Sequence, residues 1–432
     1  MQRNRFLPDM LSTLFARSRV TGKDNDPRDM AQLCYALLSD EGEVSGQKLA
    51  EVILDRYRAS GDDKKLAFFQ FMNDELDIDA GALAVLAAEY AETRAANAYA
   101  RVAEVAAPKR RKLLRRLNQP SGATADLVNM RVDLLRLMKD APELARSDLD
   151  FALLLRSWFN RGFLVLKQID WDAPASLLDK IVAYEAVHEI NDLDDLRRRL
   201  SPPDRRCFAF FHPAMPDEPL IFVEVALTKT IPGSIDALLS EDRELLMTKD
   251  ARVAVFYSIS NCQDGLKGIS FGNLLIKQVA QELSLEFPHL TDFVTLSPIP
   301  RLNTWLVSQT SDPTYGHVAA AVLAGDAPPE DVCAMAARYL VEAKRDDGTP
   351  LDPVARFHLG NGAEIHAVHA GADSSENGRY QSGGAMVNYL YDLSLAERHH
   401  ADFARNATVA TSKSIKALIR APFKTKPEEL AS

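Results

Sequence analysis

The chain has 432 residues, 47% of them hydrophobic, with a net charge of −10 and a pI near 5.5. That length fits two, at most three, domains, and the acidity argues against a nucleic-acid binder, which carries a basic face. No apolar run approaches the roughly 20 residues needed to span a bilayer. Four cysteines, Cys34, Cys207, Cys262 and Cys333, include no Cys-x-x-Cys pair, so neither a disulfide framework nor a structural zinc is expected, and a reducing cytosol is.

At the N-terminus there is no apolar secretory core. Residues 6–20 are amphipathic and arginine-bearing, in the manner of a mitochondrial presequence, but Asp9 and the acids that follow oppose that reading. The last three residues, Leu-Ala-Ser, are not a peroxisomal signal. A cytoplasmic protein is expected.

Residues 29–158 read as helices, because apolar side chains recur at three and four: Leu33, Leu37 and Leu38; Leu49, Val52 and Ile53; Leu83, Leu86 and Tyr90; Leu134, Leu135, Leu137 and Met138. Ser147-Asp-Leu-Asp150 has the form of a helix start, an N-cap serine with an acid three residues on. Lys109-Arg-Arg-Lys112 with Arg115 and Arg116 is the strongest basic cluster; it suits either anion contact or a solvated helix face paired with nearby acids.

Beyond Phe159 the pattern turns to short β-rich runs. Strands are predicted at 208–211, 220–227, 253–259, 293–296, 354–358 and 385–391, with a proline-rich turn over 212–219 and helices over 271–287 and 330–344. The fold class is α+β: a helical domain over 1–157 and a catalytic domain over 158–432.

Strand 253–259 runs into a loop carrying Gly265, Gly268 and Gly272 that opens a helix. Glycines let a backbone approach a phosphate, and free N–H groups at a helix start point at an anion. The spacing is neither G-x-G-x-x-G nor a P-loop; its order is closer to the pyrophosphate loop of acetyltransferase-type (GNAT) folds, which holds coenzyme A. Ser297 ends the next strand, where ligands of open α/β sheets gather. His358 closes an apolar run and suits either proton transfer or a satisfied core position. His366 and His369 lie on one strand and face opposite ways, which disfavours a shared metal. His212 suits a lid or a capped turn. Asn388 and Tyr391 carry no role from pattern alone.

Taken in order, Val255-Phe-Tyr-Ser-Ile-Ser260, Gln263-x-Gly-Leu-x-Gly268, Gly272-x-Leu-Leu-Ile-Lys277, Glu286-Phe-Pro-His-Leu290, Leu296-Ser-Pro-Ile-Pro300, Phe357-His358 before Asn361-Gly362, and Met386-Val-Asn-Tyr389 resemble the malonyl-CoA decarboxylase family. Earlier pieces agree, among them Glu185-Ala-Val-His188 and Arg205-Arg-Cys207. The likeness runs from about residue 80 to residue 420. It implies a helical N-terminal domain on an acetyltransferase-like (GNAT) catalytic domain, and a homo-oligomer, dimer or tetramer, with the helical part serving assembly.

By the same resemblance the catalytic serine falls on Ser297 and the catalytic histidine on His358, with Ser258 and Tyr391 as further active-site positions. Its coenzyme A loop implicates Gln263, Gly265, Lys267, Gly268, Ile269, Ser270, Phe271, Gly272 and Asn273. A family glutamate in that loop is Ser270 here, so no carboxylate acts from that position. The implied reaction turns malonyl-CoA into acetyl-CoA and CO2 with no metal or organic cofactor, since the thioester carbonyl β to the leaving carboxylate accepts the electrons. Fixed donors stabilise the enolate oxygen, His358 protonates the carbon, and Ser297 pairs with His358 and binds the malonyl carboxylate. The competing functions are a CoA-dependent acyltransferase, a thioesterase and a non-catalytic acyl-CoA sensor.

Overall fold

The structure, a computed structural model, describes residues 26–39, 43–269 and 274–426. Residues 6–20, 270–273 and the C-terminal tripeptide lie outside the described residues. The chain divides into two compact units, one holding Met1–Val165, Phe211–Pro219 and Gln263–Ser270, the other holding Leu166–Phe210, Leu220–Cys262 and Phe271–Ser432.

The first unit is helical, as the periodicity predicts. Its helices are Met30–Leu38, Glu43–Ala59, Asp62–Asp74, Ala80–Thr93, Ala96–Val105, Lys109–Leu117, Ala123–Leu137 and Ala145–Trp158. Asp29 begins the series with a capping box: its carboxylate accepts from Gln32 N, and Gln32 Oε1 accepts from Asp29 N. Leu33, Leu37, Ile53, Phe69, Leu117, Leu134 and Phe151 meet in one apolar core.

Two expectations change here. The Ser147–Asp150 segment is not a helix start: a 3-10 turn at Pro142–Leu144 leads directly into Ala145–Trp158. Ser147 and Asp150 are buried inside that helix, Ser147 donating to Asn73 Oδ1 at 3.3 Å. A Ser-x-x-Asp pattern fits a cap and a buried polar stripe equally well, and the proline-initiated turn decides between them. Nor is the basic cluster simply a solvated face. Arg110 is buried and binds Asp150 and Asp77 (2.9 Å to the latter), and Arg111 also binds Asp150.

A mixed sheet lies mostly in the second unit. Its strands are β1 (Val165–Ile169), β2 (Arg205–His212), β3 (Met215–Thr228), β4 (Val253–Asn261), β5 (Asp292–Thr295), β6 (Ser297–Pro298), β7 (Glu364–His369) and β8 (Met386–Leu390). They run in the order β1-β2-β3-β4-β5-β8-β6, with β7 on β8. β3 and β4 are antiparallel, while β4 and β5 are parallel and joined by the helix Leu274–Glu286, as a parallel pair requires. This is the α+β arrangement expected from sequence, a helical part followed by a mixed sheet.

The turn expected over 212–219 is confined to Pro213 and Ala214. β3 already includes Pro216 and Pro219, which precede Ile221, where its register with β4 begins, so neither removes a donor from that ladder. His212 caps this turn: its Nδ1 accepts from Ala214 N at 3.1 Å, and its ring packs on Phe159.

Residues 354–358 are not a strand. They belong to the helix Pro353–Gly360, with Asp352 as N-cap accepting from Ala355 N at 2.8 Å and Pro353 at the first position. A short apolar run is ambiguous between strand and helix, and the Asp-Pro start settles it.

Candidate active site

The parallel ladder between β4 and β5 ends at Phe256 and Thr295, with one further bond from Leu296 N to Phe256 O at 3.0 Å. Beyond it β4 continues to Asn261, while β6 pairs with β8 instead. The strands part at their carboxyl ends, where open sheets of this kind bind ligands. Chemistry-bearing side chains collect there in two clusters.

In the first cluster the structure brings together three of the predicted residues: Ser297 from β6, His358 from the helix Pro353–Gly360, and Tyr391 just after β8. They are 6%, 3% and 4% exposed. Tyr391 Oη lies 2.8 Å from His358 Nδ1, His358 Nε2 lies 3.2 Å from Ser297 Oγ, and Ser297 Oγ donates to Thr295 Oγ1 at 2.9 Å. Thr295 Oγ1 also accepts from Tyr389 N at 3.2 Å. Tyr389 stacks on the imidazole, with ring centroids 4.4 Å apart and planes 23° apart.

These contacts assign the proton positions. Ser297 has one hydroxyl proton, and it is committed to Thr295. His358 Nε2 must therefore carry its own proton and donate to Ser297, leaving Nδ1 to accept from the Tyr391 hydroxyl. Burial lowers the His358 pKa to about 3 and pushes the Tyr391 phenol well above its usual value. Both groups are therefore neutral at physiological pH.

A neutral buried histidine has a consequence for stability. In the unfolded chain an ordinary histidine binds a proton below about pH 6.5; in the folded chain His358 does not until about 3. The unfolded state binds more protons across that window, so stability falls as pH drops through it. From about pH 7 to about pH 5 this group alone should cost roughly 2 kcal/mol. Urea unfolding at both pH values should show a smaller loss in His358→Gln than in wild type; equal losses would contradict a neutral buried imidazole.

Ser258, the fourth predicted catalytic residue, belongs to the second cluster. A bulge in the β3–β4 ladder at Glu224/Val225 brings Ser258 into register with Glu224. Its Oγ donates to the Glu185 carboxylate, at 2.8 and 2.7 Å from the two oxygens. Glu224 is buried beside it, 3.3 Å from Arg199 Nη1; burial first, and then the negative charge of Glu185, raise its pKa to about 8. Since its proton goes to Glu185, Ser258 Oγ is an acceptor and supplies no donor to an enolate oxygen.

The predicted phosphate loop divides by role. Gly265 is buried because Val128 O passes within 2.0 Å of where a Cβ would lie. Arg131 Nη1 donates to Gly265 O at 2.7 Å and to Lys267 O at 2.9 Å. Gln263 spends its amide on Pro219 O at 3.0 Å, and Ile269 is buried. Lys267 and Gly268 are exposed, Gly268 with φ +76°. Ser270, Phe271, Gly272 and Asn273 lie outside the described residues.

Sequence reasoning assigned no role to Thr295, Tyr389 or Glu185. The first two carried a signal, since Thr295 precedes Ser297 by two and Tyr389 precedes Tyr391 by two, the spacing that puts strand residues on one face. Glu185 carried none beyond its motif, because its side-chain partners Ser258 and Ser260 are 73 and 75 residues away. Among the described residues no group of three or more His, Cys, Asp or Glu is placed to hold a metal ion, and no helix is long and apolar enough to cross a membrane.

Comparison with known proteins identifies the family. Residues 76–159 match the malonyl-CoA decarboxylase N-terminal domain family, and residues 162–429 match the malonyl-CoA decarboxylase C-terminal domain family. The mitochondrial malonyl-CoA decarboxylase of Rattus norvegicus is 32% identical over 351 residues, covering 72% of this chain and 71% of its own. That of Anser anser anser is 33% identical over 356 residues, covering 72% and 69%. The crystal structure of malonyl-CoA decarboxylase from Rhodopseudomonas palustris superposes with a TM-score of 0.84 at 45% identity, over 90% of this chain and 98% of that one. The structure from Agrobacterium vitis gives 0.84 at 44% identity, over 90% and 99%. On both its domains and on its relatives, this chain belongs to the malonyl-CoA decarboxylase family of carboxy-lyases.

Proposed function

We propose that the enzyme converts malonyl-CoA to acetyl-CoA and CO2, with His358 as the proton donor. The observation that carries this reading is a neutral imidazole held between Tyr391 and Ser297 with its Nε2 proton on the Ser297 side. The bond between the carboxylate carbon and the α-carbon breaks, its electron pair passes into the thioester as an enolate, and CO2 leaves. His358 Nε2–H then protonates the α-carbon while the Tyr391 hydroxyl returns a proton to Nδ1, and solvent reprotonates Tyr391. A thioester enolate is basic enough to take a proton from neutral imidazole. Tyr391 backing the ring avoids leaving it as an anion in a buried site. Ser297 holds Nε2 in line by accepting its proton, while its own proton rests on Thr295. Because the thioester is the electron sink, the reaction requires no metal or organic cofactor.

Lys267 and Gly268 are the loop residues we assign to the coenzyme A phosphates, an exposed cation beside a left-handed glycine being suited to an anion. Gly265 then acts from beneath the loop. Gly265→Ala would drive a Cβ into Val128 O, and overpacking of this kind costs about 1–3 kcal/mol. The Michaelis constant for malonyl-CoA should rise roughly tenfold with a smaller change in turnover; an unchanged Michaelis constant would contradict the placement of the loop.

The helical unit serves assembly of a homo-oligomer in this reading. Support comes from the helix Ala80–Thr93, which is rich in alanine and leucine yet has no buried residue, with Val85 70% exposed. Four free thiols support a reducing, cytoplasmic location.

Incubating the purified protein with malonyl-CoA and following CO2, acetyl-CoA and free CoA tests the function. Stoichiometric CO2 and acetyl-CoA are expected, with one deuterium in the acetyl methyl group when the reaction is run in D2O. Free CoA without acetyl-CoA would mean hydrolysis, and no turnover would reject catalysis on this substrate.

A further inference from the structure

Glu185 follows the helix Ala175–Tyr184 and has no part in the proton relay above. Its carboxylate nevertheless collects five hydrogen-bond contacts from four donors. Val187 N and His188 N donate to Oε1 at 2.7 and 2.9 Å. Ser258 Oγ donates to both oxygens at 2.8 and 2.7 Å, and Ser260 Oγ reaches Oε1 at 3.4 Å. Ser260 Oγ in turn accepts from Ala186 N at 3.3 Å. The turn at 185–188 is thereby fastened to β4 at Ser258 and Ser260.

The place of that fastening matters. Ser258 and Ser260 lie past Phe256, the last β4 residue in register with β5, and next to the bulge that shifts the β3–β4 pairing. On this stretch β4 has no β5 partner; its ladder with β3 continues to Asn261, and the Glu185 turn adds side-chain hydrogen bonds to Ser258 and Ser260. Glu185 also lines a groove of ≈ 960 Å³ whose wall includes His188, Asp236, Asp373 and Tyr380. A capping carboxylate needs one or two donors; this one also binds both hydroxyls of β4 past the point where that strand leaves β5.

We infer that Glu185 is a positioning residue for decarboxylation: it fixes the hydroxyl of Ser258 and, with it, the carboxyl end of β4 where that strand leaves β5. The inference rests on the function proposed above. Glu185 touches no reacting atom; it acts through Ser258. A displacement of about 1 Å, even one caused far from the chemistry, costs on the order of 10²-fold in rate.

The test is steady-state kinetics on malonyl-CoA with full-length protein. Glu185→Ala is expected to lower turnover on the order of 10²-fold, with the Michaelis constant changed less than about threefold. Glu185→Gln, whose amide oxygen still accepts from Ser258, should recover most of the loss. In a double-mutant cycle with Ser258→Ala, the double variant should be no slower than the slower single variant, since both break the same contact. If Glu185→Ala fails to give folded protein by circular dichroism, Glu185→Asp takes its place with the same expectation. It is shorter by one methylene and cannot reach both Ser258 and the turn. Wild-type turnover in the Ala or Asp variant, or losses that multiply in the cycle, would overturn the inference alone. A wild-type protein that releases no CO2 from malonyl-CoA would overturn the proposed function, and this inference with it.

Discussion

His358→Ala is expected to lower turnover on malonyl-CoA by roughly 10²–10⁴-fold, the range for losing a positioned general acid. The Michaelis constant should move little, because in the proposed mechanism the imidazole acts on the carbon after the carboxylate has gone and contributes more to the transition state than to substrate binding. The structure sharpens what should accompany this loss. Removing the ring leaves the Tyr391 hydroxyl and Ser297 without the group that links them. Adding Tyr391→Phe to His358→Ala should therefore cost little more, whereas Tyr391→Phe alone should slow a wild-type ring that has lost its supply of protons to Nδ1. Near-wild-type turnover in His358→Ala would remove His358 from the reaction. A loss that appeared only in the Michaelis constant would make it a binding residue.

The largest expected effect on stability is far from this site. Asp150 is buried between Arg110 and Arg111 in the helical unit. Among the described residues, Asp150→Ala leaves the buried Arg110 guanidinium with Asp77, itself partly exposed, as its one charged partner. Removing one member of a buried ion pair typically costs 3–5 kcal/mol, because the remaining charge has lost its compensation. A fall of about 3 kcal/mol in unfolding free energy is expected, read from urea denaturation followed by helical circular dichroism. Asp150→Asn, which keeps an acceptor for one arginine, should lose less. A change within about 0.5 kcal/mol, the size of an average surface substitution, would mean that the cluster is solvated after all.

Periodicity was informative wherever one side of an element met one environment. Leu33, Leu37 and Leu134 are core residues at helical spacing. The runs at 220–227 and 253–259 are buried strands that stand inside the sheet. It misled where two structures share one pattern. Residues 354–358 are apolar enough for a strand and lie in a helix because Asp352 and Pro353 start one. Ser147 and Asp150 match a cap and instead point into the bundle.

Amino-acid order by itself determined the division into a helical part and a mixed sheet, the strand–loop–helix–strand unit, and, through ordered motifs, the family. Those properties are local or are matches along the chain. Tertiary structure alone decided which side chains meet. Ser297 and His358 are 61 residues apart, and a hydrogen bond joins them because β6 and the helix Pro353–Gly360 come together. The same strand pairing placed Ser258 in another cluster, with Glu185 on its hydroxyl rather than an enolate oxygen. Where a hydroxyl proton goes depends on the acceptors the fold brings within 3 Å, and their spacing in sequence does not record it.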